Sequence, residues 1–302
     1  MATPWFHLDP LPEAGVVLLP KDEARHATGA RRLGEGDAVV LFDGRGMLAT
    51  ATLLGTRDRR GDVEARIDAI ERRAPISPRI EIATALPKGD RLSTMLDMAT
   101  QVGVDHVIPL RCEWGVVKPH DETPERWHRI AIESAKQSGR AWGPTFGAPM
   151  AVAAACRGGE GVQVLIAHPG GESITDACSA VARTASTIRV LIGPEGGFSD
   201  GELAAAKTAG VARVSLSPHV LRIEAAAVVA AALLRDVLSV RPTGGLDGVN
   251  GFDGVVNLDG FAVGREDLPH RTRARQAPCR PAPRPDRCPP QAPRRSRPSP
   301  SR

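Results

Sequence analysis

The sequence predicts an α/β protein built on a parallel sheet, with a small β-domain before the sheet and a tail after it. Short apolar runs separated by turn residues occupy residues 1–73, and strand and helix patterns alternate over residues 79–240. Residues 241–302 begin with a repeated Asp-Gly pair and continue as Pro and Arg, so we expect them to be disordered. The chain has 302 residues, 42% of them hydrophobic, which suffices for two domains that each bury a hydrophobic core.

The apolar runs of the first region have the length of short strands. Turn signals such as GEGD at 34–37 and RGD at 60–62 separate them, which is typical of a compact β-domain. The segment 72–78 then separates the two regions, because a residue that precedes proline disfavours helix. The predicted strands are 16–19, 38–42, 47–54 and 63–70.

The second region predicts repeated βα units, and therefore a parallel sheet with helices on both faces. Apolar residues at helical spacing fill 92–102, and Gly103 ends that helix. Ser199 and Glu202 form a capping box before a helix that reaches Ala209. The predicted strands are 80–86, 107–110, 162–167, 188–192 and 211–216, with further helices at 125–139 and 223–238.

Composition excludes several classes of protein. The longest apolar run, 225–234, is about half of a membrane span, and residues 1–10 lack the pattern of a signal peptide, so we expect a cytoplasmic protein. Five scattered cysteines without a CxxC pair predict reduced thiols, and the histidines show no metal spacing, so no metal is expected. The net charge of +4 arises in the tail, which is either an RNA-attracting arm or an extension without a role.

Three loops follow predicted strands at the carboxyl edge of the sheet, where α/β sheets bind their ligands. They are 168–171, 193–197 and 217–222. The second, GPEGG, allows a close backbone approach or a positive φ, and the amino end of the helix after it favours an anionic or polar group. It matches neither a dinucleotide-binding fingerprint nor a P-loop. The alternative is an ordinary tight turn.

Charged residues near these loops are the candidates for chemistry. Arg222 suits a substrate phosphate or a developing oxyanion, and Glu224 suits a ribose hydroxyl or the cap of the last helix. A local Arg–Glu pair is the simpler alternative. The helix at 125–139 carries a polar stripe, which is typical of a solvated face with ion pairs one turn apart. The stripe consists of Arg126, Arg129, Glu133, Gln137 and Arg140.

Over roughly residues 3–240 the chain resembles the bacterial 16S ribosomal RNA (uracil-N3)-methyltransferase family of the SPOUT superfamily. Two elements are specific in this order and at this distance, LIGPEGGF at 191–198 and LSPHVLRIE at 216–224. The family usually carries threonines around its final Arg and Glu, where this chain has Ile223 and Ala225, and often a glycine where it has Ser217. Further similarity lies in HATGARRLGEGD at 26–37, LFDG at 41–44, KGDR at 88–91, Gly103-Val104 and IESAKQSGR at 132–140.

The resemblance implies methylation of N3 of a specific uridine in 16S rRNA, on the assembled small ribosomal subunit, with S-adenosylmethionine (SAM) as cofactor. It implies a PUA-like RNA-binding β-barrel over 1–73 and a SPOUT domain over 79–240 with a C-terminal trefoil knot. It also implies a homodimer whose cofactor pocket lies near the subunit interface. No counterpart of the tail, 241–302, exists in the family pattern.

The resemblance also assigns site residues. The polar stripe becomes a candidate RNA or dimer surface, and Arg57, Arg59 and Arg60 become candidate phosphate contacts beside the RNA set. The RNA set is His26, Arg31, Arg32, Arg129 and Arg140. The cofactor set is His168, Gly193, Pro194, Glu195, Gly196, Gly197, Leu216, Ser217, Val220, Leu221 and Arg222.

The candidate catalytic residues are Arg222 and Glu224. The methyl group of SAM is already activated, so catalysis is mostly alignment and needs neither a metal nor a covalent intermediate. Uracil N3 carries a weakly acidic proton, and we expect Arg222 to stabilise the charge of the deprotonated imide in a base that is unpaired or splayed out. Two alternatives stay open: methylation of a ribose 2′-hydroxyl in another RNA, and a non-catalytic RNA-binding assembly factor of the same fold.

Overall fold

A computed structural model of the chain describes residues 3–56, 62–181 and 184–239. The predicted tail, 241–302, and the candidate phosphate contacts Arg57, Arg59 and Arg60 lie outside these residues. None of the described helices is both long and apolar enough to cross a membrane.

The first region forms a five-stranded sheet with the order β1-β3-β4-β5-β2. β1 pairs parallel with β3, and the other neighbours pair antiparallel. The apolar residues that alternate along these strands meet in one core that includes Phe6, Leu41 and Leu53. The strands are β1 (Trp5–His7), β2 (Gly15–Leu18), β3 (Ala38–Phe42), β4 (Met47–Thr56) and β5 (Val63–Arg72).

A short helical segment lies between β2 and β3 in the chain, and the sequence patterns did not predict it. Helix α1 (Lys21–Arg25) continues into a π-helical turn at His26–Ala30, where the Arg31 amide donates to the His26 carbonyl over 3.0 Å. Ala24 and Ala27 on this segment are buried in the core of the first sheet. Two elements of five residues each are too short to show a helical period, so the β-pattern around them dominated the prediction.

The second region is an α/β domain in which every described strand pair is parallel. Its strand order is β12-β10-β11-β6-β7-β8, and β9 also pairs with β7. The strands are β6 (Arg79–Thr84), β7 (His106–Arg111), β8 (Thr145–Phe146), β9 (Met150–Ala151), β10 (Val162–Ser173), β11 (Thr187–Ile192) and β12 (Ala212–Ser215). The helices are α2 (Asp90–Val102), α3 (Glu125–Ser138), α4 (Val152–Ala155), α5 (Ile174–Val181), α6 (Asp200–Thr208) and α7 (Ile223–Ser239).

The local signals in the sequence fix several ends of these elements. α2 ends at Gly103, whose φ of 101° is a left-handed conformation that glycine adopts without strain. α6 begins with the predicted capping box: the Glu202 amide donates to Ser199 Oγ over 3.3 Å, and the Ser199 amide donates to Glu202 Oε2 over 2.8 Å. The predicted helix over 223–238 is confirmed as α7. The short elements β1, β8, β9 and α4, and helix α5, were not predicted.

A buried ion cluster fixes the amino ends of β6 and β7, opposite the edge where ligands bind. The Asp105 carboxylate accepts hydrogen bonds from the Ile80 amide over 2.8 Å, from Arg140 over 3.2 Å, and from Arg235 on α7. Arg140 also donates to the carbonyls of Thr100 and Val104. Burial lowers the pKa of the Arg140 guanidinium, and the nearby Asp105 carboxylate opposes this shift.

The position of Arg140 corrects the predicted polar stripe. α3 ends at Ser138, and the left-handed Gly139 (φ 68°) turns the chain, so Arg140 leaves the face that carries Arg126 and Arg129. Only 15% of the Arg140 side chain is exposed, and its guanidinium is held inside the domain. We therefore remove Arg140 from the candidate RNA surface.

The two sheet domains meet along α3. Apolar side chains of both domains, among them Phe42, Leu48 and Ala135, form one small cluster there. Beside this cluster Lys136 Nζ lies 2.9 and 3.0 Å from the two carboxylate oxygens of Glu23, and both side chains are at least nine-tenths buried. Because a buried charge is costly without a partner, this pair holds α1 of the first domain against α3 of the second.

We expect Lys136→Ala to lower the free energy of unfolding by about 3–5 kcal/mol, because it leaves Glu23 buried without its cation. Urea denaturation measures this change. The matched control is Arg129→Ala, which removes an exposed pair with Glu125 at 3.8 Å and should cost less than about 1 kcal/mol. If both variants lost the same small amount of unfolding free energy, the buried pair would not hold the domains together.

Candidate active site

A cavity of about 520 Å³ opens at the carboxyl edge of the second sheet, beyond β10, β11 and β12. Parallel strands bring the loops that follow them to one edge, which is why three distant segments of the sequence line one space. All predicted cofactor residues line this cavity except Arg222. Further lining residues that the sequence did not single out include Phe198, Ile223 and Ala226.

The first wall of the cavity is the segment 168–171, and its structure corrects the predicted end of the strand at residue 167. β10 continues to Ser173, and residues 168–171 form a bulge, because Ala167 and Glu172 both pair with Val214 of β12. A Cβ at Gly171 would lie 2.6 Å from the Arg213 carbonyl oxygen, so only glycine fits where the bulge approaches β12. The segment therefore enters the cavity as part of the sheet and not as a free loop.

His168 lies on this bulge with one ring nitrogen engaged. Its Nδ1 is 2.6 Å from the carbonyl oxygen of Pro169. A carbonyl only accepts hydrogen bonds, so Nδ1 carries the proton and Nε2 of the neutral ring is an acceptor. His168 lines the cavity and offers this acceptor to a hydroxyl or amino group of a ligand.

The second wall is the glycine loop, residues 193–197, between β11 and α6. The Gly197 amide donates to the Pro194 carbonyl over 2.8 Å, and Gly197 has a φ of 79° that requires glycine. From the sequence we expected the amino end of α6 to favour an anionic or polar group of a ligand. The capping box changes this expectation. The Glu202 carboxylate already places a negative charge at the amino end of that helix and accepts from the amides of Ser199 and Glu113.

The third wall is the segment between β12 and α7. The His219 amide donates to Ser217 Oγ over 3.1 Å, which holds a tight turn. Val220 at the tip of this segment is 85% exposed although it lines the cavity. Ile223, where the related family carries a threonine, is buried and contributes an apolar surface and no hydroxyl.

The structure places both predicted catalytic residues outside the cavity lining. Arg222 precedes α7, its carbonyl accepts from the Ala226 amide over 2.8 Å, and its side chain is exposed outside the cavity lining. Glu224 is 17% exposed, and its Oε2 is buried without a hydrogen-bond partner among the described residues. Neither side chain lines the cavity, so any contact with a substrate must come from outside it or follow a movement.

Arg91 is a functional candidate that the sequence analysis did not identify. Its Nη1 lies 3.1 Å from Glu195 Oε1 on the glycine loop and 3.7 Å from Glu224 Oε2 on α7. From the first turn of α2, Arg91 therefore connects the glycine loop to the start of α7. The KGDR motif contained this residue, but no local pattern shows that it meets residues more than 100 positions away.

The predicted RNA residues lie on two elements. His26 is half-buried, with its ring edge-on to Phe6 at 5.9 Å, and Arg31 and Arg32 next to it are exposed. Arg32 has a φ of 55°, a left-handed conformation that is uncommon for arginine and presents its side chain from a sharp turn. Arg129 is exposed on α3 and lies 3.8 Å from Glu125.

Cys112 and Cys178 are buried thiols in the second domain, and burial raises the pKa of both. Burial, and then the nearby Glu202 carboxylate, raise the pKa of the Cys112 thiol to about 12, so this cysteine after β7 stays protonated. Burial raises the pKa of Cys178 to about 11. Within residues 3–56, 62–181 and 184–239, no group of three or more His, Cys, Asp or Glu side chains is placed to hold a metal ion.

The parallel sheet, the cavity at its carboxyl edge and the preceding β-domain define an α/β methyltransferase of the SPOUT type with a PUA-like domain. The chain belongs to the RNA methyltransferase domain family, which matches residues 74–235. Residues 19–64 match the RNA methyltransferase PUA domain.

Relatives of the chain span nearly the same two domains. A Mycobacterium tuberculosis protein named Ribosomal RNA small subunit methyltransferase E is 34% identical over 236 residues, which cover 74% of this chain and 88% of that protein. The Neisseria gonorrhoeae protein of the same name, solved bound to S-adenosyl methionine, has a TM-score of 0.68 and 27% identity. A Legionella pneumophila protein solved with SAM has a TM-score of 0.69 and 27% identity. Both structures cover 78% of this chain and 98% of their own.

We expect Arg91→Ala to raise the dissociation constant for SAM about threefold to tenfold, because the glycine loop loses its connection to α7. Isothermal titration with SAM measures this change. Arg126→Ala is the control, because Arg126 is an exposed arginine that faces Asp90 and Ser93 and not the glycine loop. An Arg91 variant that binds SAM as tightly as the control would rule out this connection.

Proposed function

We propose that this protein transfers a methyl group from SAM to N3 of a specific uridine in 16S rRNA, on the assembled small ribosomal subunit. The observation that carries the proposal is the cavity walled by the loops of β11 and β12 and the bulge of β10, in a chain of this family. The relatives named Ribosomal RNA small subunit methyltransferase E support the choice of substrate.

The residues around the cavity fit SAM in size and chemistry. About 520 Å³ lies within the range of cavities that hold small organic ligands. When bound, SAM supplies an activated methyl group. We assign its binding to backbone groups of residues 193–197 and 216–221, together with the acceptor Nε2 of His168. The buried Phe198 and Ile223 add an apolar surface and help to exclude water from the site.

Arg222 is the proposed catalytic residue on the RNA side. Loss of the N3 proton leaves a negative charge that spreads over the two neighbouring carbonyl oxygens of the uracil. The Arg222 side chain is exposed, and its neighbours in the chain, Leu221 and Ile223, line the cavity. We propose that its guanidinium faces a base that approaches the cavity from outside. A fixed cation there favours the charged imide. For Glu224 we propose a positioning role through Arg91.

We also propose separate roles for the two domains. Residues 1–73 bind RNA through His26, Arg31 and Arg32, and residues 79–240 carry out methyl transfer, with Arg129 as a further RNA contact. The three walls of the cavity are proposed to belong to a trefoil knot, and two copies of the chain to form a homodimer with the cavities near their interface. Because its substrate is the ribosomal small subunit, we place the protein in the cytoplasm.

The test of the proposal incubates the protein with labelled SAM and with small ribosomal subunits from a strain that lacks this enzyme. Nucleoside mass spectrometry of the rRNA then identifies the methylated product. We expect 3-methyluridine at one position of 16S rRNA. A methylated ribose or another methylated base would replace the proposed target. SAM binding without transfer to RNA would favour a non-catalytic assembly factor.

For Arg222→Ala we expect the turnover number to fall by about 100-fold, while SAM and the small subunit bind normally, because the variant loses charge stabilisation only. Single-turnover methylation measures the effect. Lys207→Ala on α6 is the control, since Lys207 is an exposed cation away from the cavity lining. Unchanged turnover in the Arg222 variant would refute the role given to the guanidinium.

A further inference from the structure

A large aromatic side chain is exposed next to the cavity and has no role in the function described so far. Trp114 follows β7 and is 49% exposed, and Val116 two residues later is 63% exposed. Together with Val220, they place three of the exposed large apolar residues on loops at the carboxyl edge of the sheet. Tryptophan is enriched at binding interfaces, so an exposed indole near a cavity is a candidate contact for a ligand.

Trp114 lies next to the glycine loop. A Cβ at Gly196 would lie 3.7 Å from Trp114 Cε3 and 3.8 Å from its Cβ, which is ordinary van der Waals contact. Gly196 lines the cavity, whereas Trp114 does not. The indole therefore adjoins the cavity wall and remains outside the space assigned to SAM.

The segment that carries Trp114 is held on both sides. The Glu113 amide donates to Glu202 Oε1 of α6 over 2.9 Å, and the Gly115 amide donates to the Cys112 carbonyl over 3.1 Å. Val117 forms a β-bridge with Leu86, which follows β6. These contacts fix the backbone on either side of Trp114, so the exposure of the indole is a built feature of this edge of the sheet.

The indole has no aromatic neighbour and no hydrogen bond among the residues that the structure describes. A flat aromatic face that is half in water, on a backbone segment held on both sides, suits a flat ligand with polar edges. An unpaired nucleobase has this shape, and bases stack on tryptophan with little dependence on sequence. Lys118, four residues after Trp114, is an exposed cation on the same segment and suits a phosphate beside such a base.

We propose that Trp114 is the stacking platform for an unpaired base of the RNA substrate, at the entrance to the methyl-transfer cavity. The inference rests on the proposed function, because a base must leave its helical stack before N3 becomes accessible. Stacking on Trp114 would hold such a base next to the glycine loop. It would contribute binding energy and orientation for the RNA and none for SAM.

The test compares Trp114→Ala with Trp114→Phe. We expect Trp114→Ala to raise the KM for small ribosomal subunits by about 5- to 100-fold, as for loss of one base–aromatic stack, with the SAM dissociation constant unchanged. Trp114→Phe keeps an aromatic face and should stay within about threefold of the parent protein. Ile76→Ala, which truncates an exposed apolar residue in the segment between the domains, is the control and should leave KM unchanged.

A binding assay separates this inference from the proposed function. Oligouridine should quench tryptophan emission of the parent protein, and Trp114→Phe should abolish that quenching although Trp5, Trp127 and Trp142 remain. If the parent protein made no 3-methyluridine but showed this quenching, the stacking role would stand and the proposed reaction would fail. The stacking role would be overturned if Trp114→Ala had the same KM for small ribosomal subunits as the parent protein. It would also be overturned if that substitution converted a dimer into monomers.

Discussion

The buried carboxylate of Asp105 is the interaction on which the rest of the second domain depends. It binds Arg140 after α3 and Arg235 on α7, and it accepts from the backbone of β6 at Ile80. Two guanidinium groups and one carboxylate inside a protein are stable only as a set, because each charge would be costly without the others. The cluster thereby fixes α7, whose first turn closes the cavity at the other edge of the sheet, and α3, which carries the first domain.

The site combines walls made of backbone with side chains that are exposed beside them, in a way that suits its proposed chemistry. The bulge at 168–171 is held by pairing with β12 and the start of α6 by its capping box, so contacts within the chain fix the walls of the cavity. Arg222 and Val220 are exposed next to it, and Trp114 lies beside the glycine loop with half of its side chain exposed. This division places cofactor recognition on backbone geometry and leaves RNA recognition to side chains at the surface.

Much of the fold followed from local patterns. Strand β3 and helix α2 were predicted closely, because their apolar periods are clear and Gly103 or a turn ends them. The errors have physical causes. Residues 168–171 contain a proline and two glycines, which predicted a loop, but pairing with β12 carries β10 past them. Arg140 was assigned to the surface by helical spacing, but the left-handed Gly139 ends the helix one residue earlier.

The sequence by itself determined the longer strands and helices, the capping box of α6 and the three segments that line the cavity, because periodicity, glycine and capping residues act within a few positions of the chain. Only the tertiary structure decided which side chains meet and which face water. Arg91 reaches Glu195 and Glu224, Lys136 reaches Glu23, and Trp114 adjoins Gly196 across more than 80 residues. Such contacts depend on how whole elements pack, and burial of a charge or exposure of an indole is a property of that packing alone.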